Sequence, residues 1–132
     1  MKICIATFYN IRHPGAVLQA YALCRKLNWM GHDARLIRYP ERRETDQPRL
    51  LSAEGLYGAW TRSAGKTRGY ARFIEKHCPE TSRGYSTASE LRIHPPEADA
   101  YVCGSDQIWN PSLTGGNPDP AYFLDFGGNH TK

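Results

Sequence analysis

No apolar run in this 132-residue chain approaches the roughly 20 residues that cross a bilayer, so no transmembrane segment is expected. The opening MKICIATFYN carries one lysine and a short apolar stretch, too short for a secretory h-region and followed by no small-residue cleavage site. It reads as a first β-strand, and the expected compartment is the cytoplasm. Neither G-x-G-x-x-G nor a Walker A sequence occurs, which leaves dinucleotide and nucleoside triphosphate binding without support. The four cysteines, Cys4, Cys24, Cys78 and Cys103, form no C-x-x-C pair and have no histidine at zinc-like spacing. That pattern argues against a metal site or a disulfide framework. They are expected as small buried hydrophobes, Cys4 and Cys103 on strands and Cys24 on a helix. There are no internal repeats.

Hydrophobic residues make up 40% and charged residues 23%, the balance of a globular rather than a disordered chain. The length allows one compact domain or a piece of a larger one. A net charge of +4 and a pI near 9.0 suit anionic small molecules, phosphosugars, nucleic acid or an acidic surface. The basic residues fall in two loose groups, Arg35, Arg38, Arg42 and Arg43, then Arg62, Lys66, Arg68 and Arg72; Glu41, Glu44 and Asp46 dilute the first. Solvated faces explain these better than a nucleic-acid footprint, and no nucleic-acid partner is expected.

Ile3, Cys4, Ile5 and Ala6 form a nearly continuous apolar run, as in a strand buried on both faces. Residues 7–15 contain Asn, His, Pro and Gly and read as a loop. From Ala16, Val17, Ala20, Tyr21, Cys24 and Leu27 recur at helical spacing, Leu23 and Met30 widen the face, and Gly31 ends the helix. Residues 33–39, with Leu36 and Ile37, read as a second strand, completing a βαβ unit with parallel pairing. Residues 40–48 are charged and turn-rich. In the middle region, Tyr70, Phe73, Ile74 and His77 share a face of a short helix stopped by Pro79. A further helical turn is expected at 89–92, a buried strand at 99–104, and a last short strand at 122–126. The class is α/β with a Rossmann-like, mostly parallel sheet. Such sheets bind ligands at the carboxyl ends of their strands, here the loops 7–15 and 104–111.

The first loop runs into a helix start, where free N–H groups and the helix dipole favour an anion and Gly15 permits close approach. The other reading gives Gly15 a turn role only. His13 can donate to a ligand or carry a proton, although a lone loop histidine is more often simply exposed. Asn10 is a further polar candidate here. Gln19, one turn into the helix, can bind a sugar hydroxyl or tie the loop down. The second loop, Gly104-Ser105-Asp106-Gln107-Ile108-Trp109-Asn110-Pro111, places a hydroxyl and a carboxylate at the functional edge of the sheet. Asp106 is the candidate general base for a hydroxyl nucleophile, and the alternative is that it caps the following turn. Gln107 and Asn110 add polar specificity. Trp109 has a flat face suited to a sugar ring, but the reading favoured for it is core filling.

Three stretches, Gly15 through Leu23 with Gly31-His32, Gly104 through Pro111, and Asp119-Pro120-Ala121-Tyr122-Phe123-Leu124-Asp125-Phe126, resemble motifs of polysaccharide pyruvyl transferase family proteins in the family's order. They cover both ends of the chain and little of its middle. Where the family reads Asn-Tyr-Gly, this chain has His13-Pro14-Gly15; Pro14 lacks an N–H and stiffens the loop, which weakens an anion site there.

The resemblance implies the N-terminal half of a GT-B-like two-domain transferase. Its implied reaction moves the enolpyruvyl carbons of phosphoenolpyruvate onto a sugar, giving a pyruvate ketal and phosphate. Phosphoenolpyruvate is then a donor substrate bound mainly by a C-terminal half, no cofactor is needed, and the partner is a sugar or oligosaccharide acceptor. The chain stops where the family continues into another strand, so a fragment or truncated product, inactive alone, is expected. Homo-oligomerisation stays open. The other readings are a non-catalytic sugar- or partner-binding module and a nucleotide-sugar glycosyltransferase-like protein.

Overall fold

The computed structural model describes residues 1–11, 13–40, 64–104, 106–114 and 116–127, with the backbone alone given for 64–68. Most of the expected 40–48 loop, the first part of the middle region, Arg42, Arg43, Arg62, Ser105 and His130 lie outside the described residues, as do the side chains of Lys66 and Arg68.

The apolar run near the amino terminus forms β1 (Lys2–Ala6), and the helical spacing after it forms α1 (Pro14–Trp29). Then come β2 (Asp33–Arg38), α2 (Ala64–His77), β3 (Glu80–Gly84), α3 (Ala88–Ile93) and β4 (Ala100–Cys103), followed by two 3-10 turns at Pro111–Leu113 and Pro120–Phe123. The strands make one sheet in the order β3-β2-β1-β4, with every pairing parallel. This is an α/β, Rossmann-like arrangement.

Alternation along the strands builds two cores, one on each face. Ile3 and Ile5 with Ala34 and Leu36 pack against Val17, Ala20 and Cys24 of α1 and Ile74 and Cys78 at the end of α2. Cys4, Ala6 and Ile37 face the other way, toward Tyr85, Leu91, Ile108, Tyr122 and Phe126. β1 is thus buried from both sides, which is why it reads as an apolar run, whereas β2 buries Ala34, Leu36 and Ile37 and leaves Asp33 and Arg35 exposed. Gly31 has φ +88, the left-handed geometry that lets the chain leave α1 and enter β2.

Several expectations need correction. α1 starts at Pro14 rather than Ala16, because proline fits the first turn, where its missing N–H costs nothing. Met30 is exposed, lying past the last turn of α1. β3 is a strand that the sequence reading did not include; it carries no apolar run, and of its five residues only Thr81 is buried. β4 is half-buried throughout, since among the described residues it is the sheet's edge. Residues 120–123 form a 3-10 turn closed by Leu124 at φ 57, not a strand, with Asp119 accepting from Ala121 N–H at 3.0 Å and Pro120 at the first position. No described helix is long and apolar enough to cross a membrane.

The buried thiol and phenols predict an alkaline limit. Burial pushes the Cys4 thiol up to about 11. Burial, then the bond to Glu80, pushes Tyr9 up, and burial pushes Tyr122 up. The fold therefore favours the protonated forms. The unfolded chain releases these protons first, from about pH 8.5 for the thiol and about pH 10 for the phenols. Stability is expected to be whole below about pH 8.5 and to fall above it, by about 1.4 kcal/mol per pH unit for each group. Urea midpoints measured from pH 7 to pH 11 check this; a flat profile contradicts it.

Candidate functional site

A sheet wound in both directions opens a crevice where the winding reverses. In the order β3-β2-β1-β4 the reversal falls between β1 and β4. Their carboxyl ends lead into Thr7 and Gly104, joined by Gly104 N–H donating to Ala6 O at 2.9 Å. Gln19 reaches across from α1 and donates to Thr7 Oγ1 at 2.6 Å. Of its two expected roles, this bond shows Gln19 tying the loop down. Gly104 is buried here, and a Cβ built on it would overlap Thr7 Oγ1 and Cβ and come 3.1 Å from Gln19 Nε2. The two loops read from the sequence therefore meet at one point.

The first loop is organised for folding. Asn10 Nδ2 donates to Pro40 O at 3.1 Å, which links the exit of β1 to that of β2. His13 is the N-cap of α1, its Nδ1 accepting from Ala16 N–H at 3.4 Å. That N–H is one of the donors an anion would need, and Pro14 has none to offer. Gly15 lies inside the first turn of α1 beside the imidazole, where an added Cβ would meet His13 Cε1 at 3.0 Å. His13 thus takes up one of the N–H groups that the anion reading of this loop would use. His13→Ala should lower stability by about 0.5–1 kcal/mol, the low end for a lost cap because the bond is long. A chemical denaturation midpoint tests this, and an unchanged midpoint removes the capping role.

The second loop turns sharply after β4. Ile108 fills the core and is 1% exposed, so its neighbour Trp109 points outward and is 59% exposed. This corrects the core reading of Trp109. Its Nε1–H donates to Tyr122 O at 2.8 Å, and its ring stacks on the exposed Phe123 at 5.8 Å and 21°. Asn110 caps the first 3-10 turn, its Oδ1 accepting from Ser112 N–H at 3.1 Å, while its Nδ2 donates to Gln107 Oε1 at 3.1 Å. Ser105, also a candidate, lies outside the described residues.

Asp106 divides its two oxygens. Oδ1 accepts from Gln107 N–H at 2.7 Å, the turn-capping role. Oδ2 is shut off from solvent and has no hydrogen-bond partner among the described residues. A buried carboxylate oxygen without a donor is costly, and a water, an ion or a ligand group can supply the missing bond.

Tyr122 belongs to the same region, though the sequence reading gave it no role. It is 1% exposed, wedged edge-on to Phe8 at 5.0 Å and Tyr39 at 5.6 Å. Its hydroxyl, like Asp106 Oδ2, has no partner among the described residues. Burial first, then the charges of Asp119 and Asp106, hold the phenol protonated. Asp119 itself is satisfied, with Tyr39 Oη–H donating to its Oδ2 at 2.6 Å. Only its place within the third family-like motif could have drawn attention to Tyr122.

A separate open cleft of about 260 Å³, lined by Lys2, Cys4, Arg35, Arg83 and Glu97 among others, crosses the amino-terminal part of the sheet. Lys2 pairs there with Glu97 at 2.7 Å and Arg35 with Asp33 at 3.0 Å, and none of the candidate residues reaches it. Among the described residues no three His, Cys, Asp or Glu side chains gather as metal ligands. Comparison of the chain with protein-family models, curated proteins and solved structures finds no match.

Proposed function

We propose that this chain is the acceptor-side, N-terminal portion of a GT-B-like polysaccharide pyruvyl transferase, acting in the cytoplasm on a sugar of a cell-surface or exopolysaccharide. The observation that carries this reading is Asp106, on the turn after β4, whose Oδ1 is tied to its own turn and whose Oδ2 lacks a partner among the described residues. A carboxylate held in that way can take the proton of a sugar hydroxyl. Beside it the exposed Trp109–Phe123 stack offers a flat apolar surface for a sugar ring, with Gln107 and Asn110 on the same turn.

In the proposed reaction one sugar hydroxyl oxygen adds to C2 of phosphoenolpyruvate as C3 gains a proton. The C2–O bond to phosphate breaks, and a second hydroxyl of the same sugar closes the ketal. One hydroxyl proton is balanced by that gained at C3 and the other by that carried off with phosphate. Asp106 is the base for the attacking hydroxyl. By the resemblance, the cationic grip on the donor lies in a C-terminal half outside these 132 residues.

The second reading, a non-catalytic sugar-binding module, draws on the same aromatic stack, which needs no donor site. Phosphate release from phosphoenolpyruvate, measured with candidate oligosaccharides, separates the two. The protein of the complete reading frame containing these residues is expected to turn over, and the 132-residue chain alone is not. Pyruvylation by the chain alone overturns the half-enzyme reading. Sugar binding without turnover by the complete protein selects the module.

A further inference from the structure

Two of the four cysteines meet although they are far apart in the sequence. Cys24 lies on the inner face of α1 and Cys78 directly follows α2, and both are buried in the core on one face of the sheet. β2 holds them at neighbouring points. Cys24 Sγ donates to Ala34 O at 3.5 Å. Two residues along the same strand edge, Leu36 N–H donates at 2.9 Å to the carbonyl of Pro79, next to Cys78. One turn back, Tyr21 of α1 packs on Phe73 and His77 of α2 at 5.0 and 5.9 Å, so the two helices touch along this line. At its end the thiols are in contact, with Cys78 S–H donating to Cys24 Sγ. The other two thiols are placed differently. Cys4 and Cys103 lie on the opposite face, where Cys4 stands opposite Tyr101 in the β1/β4 register and Cys103 Sγ donates to Tyr122 O at 3.1 Å.

We propose that Cys24 and Cys78 are a peroxide-responsive thiol pair, whose disulfide clamps α1 onto the end of α2. Cys24 is the attacking sulfur. The bond from Cys78 draws its thiol below the ordinary range, outweighing burial, and Asn28 Nδ2 adds a weak donor at 3.6 Å. The same bond, then burial, raises Cys78 and keeps it a thiol. The Cys24 thiolate attacks one oxygen of hydrogen peroxide, the O–O bond breaks, and the departing hydroxide takes up the Cys24 proton as water. Cys78 sulfur then attacks the resulting sulfenic sulfur, and the S–O bond breaks as a second water leaves with the Cys78 proton. Two thiols are oxidised by two electrons and peroxide is reduced to two waters. Cys78 is the outer member, 3% exposed against 0% for Cys24, and peroxide enters past it as the last turn of α2 moves. This pair stands apart from the acceptor-side reading of Asp106.

The test treats the reduced, folded 132-residue chain with hydrogen peroxide, blocks the remaining thiols and maps the peptides by mass spectrometry. Two of the four thiols are expected to disappear into a cross-link joining Cys24 to Cys78, which dithiothreitol reverses. The cross-linked chain should melt about 5 °C or more above the reduced one, since the bond closes the long loop between residues 24 and 78. Cys78→Ala removes the resolving thiol and should leave Cys24 as a sulfenic acid that dimedone captures. Four free thiols after treatment overturn the proposal, as does a cross-link that uses Cys4 or Cys103 or forms only in urea. A Cys24–Cys78 bond that leaves the melting temperature unchanged or lowers it also overturns it, because the clamp is then absent. Dimedone capture at a cysteine other than Cys24 removes Cys24 as the attacking sulfur. The map of the wild-type chain decides even where Cys78→Ala fails to fold.

Discussion

Gly104→Ala is expected to destabilise the protein by about 3 kcal/mol, toward the upper end for overpacking a filled site. The added methyl has nowhere to go. It would overlap both Oγ1 and Cβ of Thr7, and Thr7 is only 1% exposed at the end of the central strand. Rotating Thr7 moves Oγ1 away but leaves its Cβ in place. Shifting the strands apart instead strains Gly104 N–H to Ala6 O, now 2.9 Å, and pushes on Gln19, which lies 3.1 Å from the same point. For a chain of this size the loss corresponds to a melting temperature lower by about 10 °C. Thr7→Gly, which removes both clashing atoms, should restore part of the loss in the double variant, giving a favourable coupling in a mutant cycle. Melting of Gly104→Ala within a degree of the wild type shows that the two strand ends are not packed as described.

Gly104 was legible as a loop glycine at the end of a strand; the reason for it, a side chain on the neighbouring strand, was not. The same division runs through the fold. β1, α1 and β2 could be read because both faces of the sheet are covered there, so Ile3, Ile5, Leu36 and Ile37 are all apolar and Val17, Ala20 and Cys24 keep helical spacing. β3 could not, because ETSRG is an edge strand that buries one residue and pairs with β2 through a register shift between Leu36 and Arg38. The stretch 120–126 carries apolar residues dense enough for a strand. Asp119 capping Ala121, with Pro120 next in line, is nevertheless a helix-start signal, and it prevails locally. At the site, Asp106 was readable from its position after a strand, and the outward turn of Trp109 was not. Two adjacent apolar residues, Ile108 and Trp109, compete for one core position, and nothing local decides between them. The burial of the Tyr122 ring depends on Phe8 and Tyr39 arriving from two other segments.

Asp106→Asn should separate activity from stability. On the proposed pyruvyl-transfer reading, phosphate release from phosphoenolpyruvate with an acceptor should fall by about 10²- to 10⁴-fold, the span associated with loss of a general base. Folding should not suffer. The amide oxygen can keep the 2.7 Å bond from Gln107 N–H, and the amide is neutral where the carboxylate is charged. Removing a buried charge whose Oδ2 has no donor among the described residues is favourable in itself, so the urea midpoint should stay level or rise, by up to about 1 kcal/mol. Asp119→Asn is the matching control from the same region. Asp119 already accepts from Tyr39 at 2.6 Å and from Ala121 at 3.0 Å, so its amide should cost about 1–2 kcal/mol of stability while leaving turnover per folded molecule near that of the wild type. The opposite pattern, with Asp106→Asn less stable and fully active, makes Asp106 a turn cap and moves the base elsewhere in the crevice.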